Sequence, residues 1–342
     1  MKNKLLRSIS TLTILFMSVL FLSCTKAEEV KIKQNDKFTI IGSGENIEIL
    51  VDNLKNDFKP VTADVVSISS SGEKNEMTVV GVTLKDLLVS KKIDISSFKS
   101  IRAVAGDGYS IEIPEEIFSK RQVILAYKIN GELLNDKSKP IRVIVPDERA
   151  MYWARNVVKI ELLQKKNTIT IEKIVFLETA YKKLPQTKYM YYETQDIVVP
   201  VKELLSNYCG DCKGELDFES TDGLIRSETN ENALISFIKI NGKGKPLFLS
   251  PDLPGGMYIK NILLFKTNNT CFYSIESGIE TMKKDGKKLS WSYLLTSTGL
   301  AESEKYTITD LDGTKNIVAA EKLDKGIISF EMGNILSIET AE

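Results

Sequence analysis

The sequence predicts a strand-rich α+β fold that recurs along the chain, and three observations carry that prediction. The tetrapeptide Lys128-Ile129-Asn130-Gly131 returns as Lys239-Ile240-Asn241-Gly242, each time followed by a Lys-Pro and then a Pro-Asp. β-Branched and aromatic runs of strand length dominate: Phe38 to Ile41, Ile101 to Ala105, Tyr109 to Ile113, Val123 to Tyr127, Arg142 to Val145 and Val157 to Leu162. Helix signals are few and short, the clearest being Thr83-Leu84-Lys85-Asp86-Leu87-Leu88, with Thr83 as N-cap and Asp86 three residues on.

Taken in order, the chain opens with Lys2, Lys4 and Arg7, no acid, and an apolar run from Leu12 to Leu22 that ends in Phe21-Leu22-Ser23-Cys24. This reads as a signal peptide over 1–23, since the run is shorter than the roughly 20 residues a spanning helix needs. The small residue before Cys24 resembles the lipobox of bacterial lipoproteins, with Phe21 standing where a leucine is usual. By that resemblance Cys24 is the acylated (palmitate-bearing) residue and 24–37 a solvated tether. The partner is then a lipid bilayer, and the expected location is the cell envelope, on the periplasmic or surface side.

The segment 38–165 forms the first domain and 168–268 a second, degenerate copy. Leu87-Leu88, Asp107-Gly108, Tyr127 to Gly131, Lys139-Pro140, Pro146-Asp147 and Met151-Tyr152 are replayed as Leu204-Leu205, Asp222-Gly223, Phe237 to Gly242, Lys245-Pro246, Pro251-Asp252 and Met257-Tyr258. A fainter echo, Leu294-Leu295 and then Asp312-Gly313, makes 272–342 a partial third copy or a C-terminal extension. Asp-Gly is a strong hairpin signal, because Gly accepts positive φ and Asp bonds its own backbone. Its recurrence suits a turn better than a catalyst.

Composition narrows the chemistry. The chain has no histidine among its 342 residues, which removes the usual general base near neutral pH and the commonest metal ligand. Lys and Arg number 46, as do Asp and Glu, and loss of a signal peptide with three basic residues leaves a slightly acidic body. That balance gives no electrostatic footprint for nucleic acid.

From Gly81-Val82-Thr83-Leu84 through Asp107-Gly108-Tyr109 and Ile124 to Leu134, and on to Pro140-Ile141-Arg142-Val143-Ile144-Val145-Pro146 and Arg155 to Glu161, the chain resembles the sulfite-oxidase-type molybdopterin-binding domain. The resemblance implies a mixed α+β, sulfite-oxidase-like fold, here in tandem, and in that family a cysteine thiolate completes a molybdenum–pterin site. The stretch where the thiolate falls reads Val66-Ser67-Ile68-Ser69-Ser70-Ser71, so Ser69 is the counterpart and no thiol is present. A hydroxyl is a poor replacement, because its pKa lies far above that of a thiol. Arg142 stands where the cofactor phosphate would be met, and its second-copy counterpart is Phe248. The resemblance thus places a candidate pocket among Ser69, Asp107, Gly108, Tyr109 and Arg142.

Cys209-Gly210-Asp211-Cys212 is a C-x-x-C followed by Lys213, which disfavours haem attachment, and too few thiols exist for a closed zinc site. A local disulfide between Cys209 and Cys212, or plain thiols in an inserted loop, is the preferred reading over a redox pair. Cys271 is left over. The expected function is a lipid-anchored binding or interaction module, holding an unknown small ligand or envelope protein, with no catalytic residues, metal or cofactor. The alternatives are a molybdopterin-dependent oxidoreductase that keeps its cofactor, and a surface adhesin or envelope scaffold.

Overall fold

A computed structural model describes residues 36–69, 72–165, 170–191, 194–210, 212–324 and 334–341. The signal peptide, Cys24, the tether, Ser70 and Ser71 lie outside the described residues. The described residues from Asp36 onward cluster as one compact unit.

The first half is two sheets around one apolar core. A five-stranded sheet runs in the order Ile47–Leu50, Lys37–Ile41, Val157–Gln164, Phe98–Ala105, Ser110–Pro114, with Lys37–Ile41 parallel to Val157–Gln164 and the other pairs antiparallel. The period-2 alternation explains the burial: Phe38 and Ile40 point inward and are fully buried, while Lys37 is exposed. The second sheet pairs Val61–Ile68, Lys74–Thr83 and Ile124–Ile129 in turn, and Arg142–Ile144 lies on the far side of Ile124–Ile129. The helix Leu84–Ser90 starts where Thr83 predicts, with the Thr83 Oγ1 accepting from the Asp86 N–H at 3.0 Å. Its Leu84, Leu87 and Leu88 enter the same core.

The second half also has two sheets, but one is larger. Eight strands run in the order Ile225–Glu228, Leu216–Ser220, Ile262–Thr267, Thr270–Tyr273, Lys173–Phe176, Ile335–Thr340, Lys305–Asp310, Lys315–Ala319. The four-stranded sheet is Thr187–Tyr191, Thr194–Pro200, Phe237–Lys239, Leu247–Leu249. Segment 272–342 therefore shares a sheet with 168–268, and Trp291, Leu294, Tyr306 and Ile338 pack in one cluster with Ile174, Phe176 and Leu264.

Local devices recur between the halves. Lys139-Pro140 and Lys245-Pro246 are both cis. The Asn130 side chain accepts from the Thr78 N–H at 3.0 Å, and Asn241 does the same for Ile197 at 2.9 Å, so each copy of the repeated tetrapeptide clips a turn to the preceding strand. The Asp-Gly steps at Asp107, Asp222 and Asp312 each join a two-stranded hairpin, with the carboxylate accepting from the N–H two residues on at 3.1, 3.3 and 2.8 Å. Gly108, Gly223 and Gly313 all have positive φ, at 85°, 78° and 94°, the conformation for which glycine is needed.

The halves meet edge to edge, where Ser110–Pro114 approaches Ile225–Glu228. Arg102 spans this seam. Its guanidinium donates to Glu112 at 2.7 Å, to Glu161 at 3.1 Å and to the Ser227 carbonyl at 2.9 Å. Glu112, 1% exposed, also accepts from the Ser227 N–H at 3.2 Å. Lys99 adds an ion pair to Asp217 at 3.1 Å.

Candidate functional site

Ser69 follows the strand Val61–Ile68 and closes a tight turn. Its N–H donates to the Glu73 carbonyl at 2.8 Å, its carbonyl accepts from Gly72 at 2.9 Å, and its Oγ accepts from the Glu73 N–H at 3.0 Å. The hydroxyl is thus engaged by its own loop. Ile68 forms a parallel bridge to Arg149, so the segment carrying Ser69 runs beside Glu148 and Arg149.

The turn Asp107-Gly108-Tyr109 converges on the same region from another element. The strand that follows it packs against the 3-10 turn Ala150–Tyr152, and the Gly108 Cα faces Pro254 of the second half. Arg226 acts electrostatically on Tyr109, while burial is the larger effect and pushes the Tyr109 phenol up. Tyr152 is likewise raised by burial, with Arg149 opposing. Arg149 Nη1 reaches across to Asp222 at 3.9 Å. Arg226 is buried and held by Glu228 and the Met257 carbonyl.

Ser69 therefore follows directly on the residue bridged to Arg149, while the Asp107-Gly108-Tyr109 turn leads into the strand that packs on Ala150–Tyr152. The basic side chain there is Arg149, which sequence reasoning missed; the chain position that could have flagged it is its place after Pro146-Asp147-Glu148, where the similar stretch after Pro251-Asp252 has Leu253 and Pro254. Arg142 sits elsewhere in the sheet, in the cross-strand row of Ala126, Gly81 and Val61. Its neighbouring charge is Arg155, and burial together with that like charge lowers its pKa. The Arg142 Nε is buried without a hydrogen-bond partner, and among the described residues no carboxylate lies within ion-pair distance of it.

Chemically, this region of the seam combines donors with the Asp222 carboxylate. The Tyr109 and Tyr152 phenols and the Arg149 guanidinium are hydrogen-bond donors that suit an acceptor-rich ligand. A thiolate-completed molybdenum centre does not fit these residues. Cys209 and Cys212 are joined as a disulfide at the end of the helix Val201–Tyr208, and Cys271 is fully buried in the eight-stranded sheet. Burial pushes the Cys271 thiol up to about 12. Among the described residues no three His, Cys, Asp or Glu gather where they could hold a metal ion, and no helix is long and apolar enough to cross a membrane.

The second half contains open cavities among the described residues. One, about 390 Å³, is lined by Tyr181, Ile240, Pro246, Ile275 and Ile279 together with Glu178, Lys182, Lys245 and Glu276; another, about 450 Å³, is polar and borders Cys209.

Among curated proteins no match to the sequence was found. The solved structures that resemble it include the sulfane dehydrogenase SoxCD from Paracoccus pantotrophus, at 14% identity and a TM-score of 0.34. That likeness covers 56% of this chain and 58% of the other, so the chain spans less than two thirds of its length. Residues 31–170 match the family model of the oxidoreductase molybdopterin binding domain, and it is to that domain that the first half of the protein is similar.

Proposed function

We propose that the protein is an extracytoplasmic, lipid-anchored binding module, built on tandem molybdopterin-oxidoreductase-like domains that no longer carry out metal chemistry. The donor set supports this reading. The stretch that supplies a soft thiolate in the family reads Val66-Ser67-Ile68-Ser69-Ser70-Ser71, without cysteine, and the Ser69 oxygen accepts from the Glu73 amide instead. Duplication is supported by the recurring Asn clips and Asp-Gly hairpins, which serve the architecture in both halves. Protein matured in a host that makes the pterin cofactor is expected to contain far less than one molybdenum per chain by plasma mass spectrometry. A stoichiometric amount would overturn the proposal.

The anchor has its own test. Labelled palmitate is expected to enter the wild-type chain and not the Cys24→Ala variant, and equal labelling of both would remove the lipid from the proposal.

One observation favours the enzyme reading: Arg142, which the family resemblance sets against the cofactor phosphate, has a buried and unpartnered Nε and a second arginine nearby. Under that reading the pterin phosphate still binds at Arg142. The purified protein would then show pterin fluorescence after acid release.

A further inference from the structure

The eight-stranded sheet has two edges, and they differ. At one, Ile225–Glu228 is approached by Ser110–Pro114 of the first half. At the other, Lys315–Ala319 pairs with Lys305–Asp310 and, among the described residues, with no further strand. An edge of this kind is a template for another chain, and proteins usually blunt it with proline, a bulge or charge. Lys315–Ala319 has no proline, keeps an unbroken register and carries charge only at Lys315. At its centre Ile317 is 69% exposed, more than any other large apolar side chain among the described residues.

The register shows which backbone groups face outward. The Asp310 N–H donates to the Thr314 carbonyl at 2.9 Å, and the Ala320 N–H donates to the Glu304 carbonyl at 2.9 Å. Hydrogen-bonded pairs alternate along an antiparallel ladder, so Asn316 and Val318 between them also turn to the neighbouring strand. Lys315, Ile317 and Ala319 therefore point their N–H and carbonyl groups away from the sheet.

These three residues complement themselves. In an antiparallel pairing centred on Ile317, each Lys315 lies opposite the other copy's Ala319 and the two Ile317 residues lie opposite one another. Every outward N–H and carbonyl of the strand then has a partner, and the exposed isoleucines cover each other. Charge selects the direction. Lys315 opens the strand, and Glu321 follows its end in the helix Ala320–Asp324. Antiparallel pairing sets the lysine end of one copy against the glutamate end of the other, whereas parallel pairing would set Lys315 against Lys315.

We propose that Lys315–Ala319 is a homodimer interface, at which two copies pair antiparallel about a two-fold axis at Ile317 and join their eight-stranded sheets into one. Five residues on each side are fewer than the roughly 20–30 that a stable interface uses, so the dimer forms and dissociates with concentration. The inference goes beyond the binding-module reading and does not depend on it.

The test is sedimentation of the mature chain carrying Cys24→Ala, so that no acyl chain contributes, from about 1 µM to about 1 mM. A sedimentation coefficient that rises from monomer toward dimer is expected. Ile317→Lys, which opposes two like charges at the axis, is expected to remove the rise while thermal melts show the chain still folded. A thiol pair then reads the register. Opposed residues of a hydrogen-bonded pair have Cα atoms about 5.5 Å apart, within disulfide range. Ile317→Cys is therefore expected to give a disulfide-linked dimer under mild oxidation. Asn316→Cys, whose two copies stand on either side of the axis, is expected to give little. A chain that stays monomeric throughout, association untouched by Ile317→Lys, or equal cross-linking by the two cysteine variants would each overturn the proposal.

Discussion

Cysteine behaviour in this protein is decided residue by residue, by burial. Cys271 has the same side chain as Cys209, yet it lies in a central strand between Lys173–Phe176 and Ile262–Thr267, where no solvent reaches it. Its thiol is pushed up to about 12, so the neutral form persists across the physiological range. Only the thiolate is nucleophilic. The folded Cys24→Ala chain is therefore expected to resist iodoacetamide at pH 8 and to take up one equivalent at Cys271 once unfolded in guanidinium without reductant. Rapid labelling of the folded chain would contradict the burial. The serines of 67–71 were readable as a lost thiol from the sequence, but the engagement of the Ser69 oxygen by Glu73 was not, because a turn's hydrogen bonds depend on backbone geometry.

At the scale of elements, Gly81 shows why one letter of the sequence pattern is fixed. It lies in the strand Lys74–Thr83 where the register to Ile124–Ile129 shifts, and a Cβ there would meet the Leu125 carbonyl and stand 2.8 Å from the Ala126 Cα. Both obstacles are backbone and cannot rotate away. Gly81→Ala is expected to cost about 1–3 kcal/mol by overpacking, measured as a lower denaturation midpoint with an unchanged m value. A neutral effect would mean that the two strands separate more easily than their pairing suggests. The strands themselves were legible from β-branched runs, and the Thr83 cap from its spacing to Asp86. The eight-stranded sheet was not, since strand signals say nothing of which distant strand becomes a neighbour. Thus 272–342, read from the sequence as a partial copy or extension, contributes strands and core to the sheet of the preceding segment.

At the scale of the whole molecule, a charged seam joins two apolar cores. Arg102 touches Glu112, Glu161 and the Ser227 carbonyl together, and Glu112 is almost fully removed from water. Burial raises the Glu112 carboxyl, and Arg102 opposes that rise. Removing the cation leaves the carboxylate uncompensated. Arg102→Leu is expected to destabilise by about 3–5 kcal/mol, and the double variant Arg102→Leu/Glu112→Leu by less, when both are followed by urea unfolding. If the double variant loses as much as the single one, the seam is held by packing and not by this pair.

By itself, the sequence determined the composition limits, the strand-rich class, the repeated turns and the missing thiol, because each follows from local conformational preference or from which atoms the chain contains. Only the tertiary structure decided that Arg149 and not Arg142 stands beside Ser69, that the two halves meet through a buried ion network, and that Tyr181 lines a cavity with its hydroxyl unpartnered. Those facts depend on contacts between residues far apart in the chain, which are fixed by the packing of whole sheets.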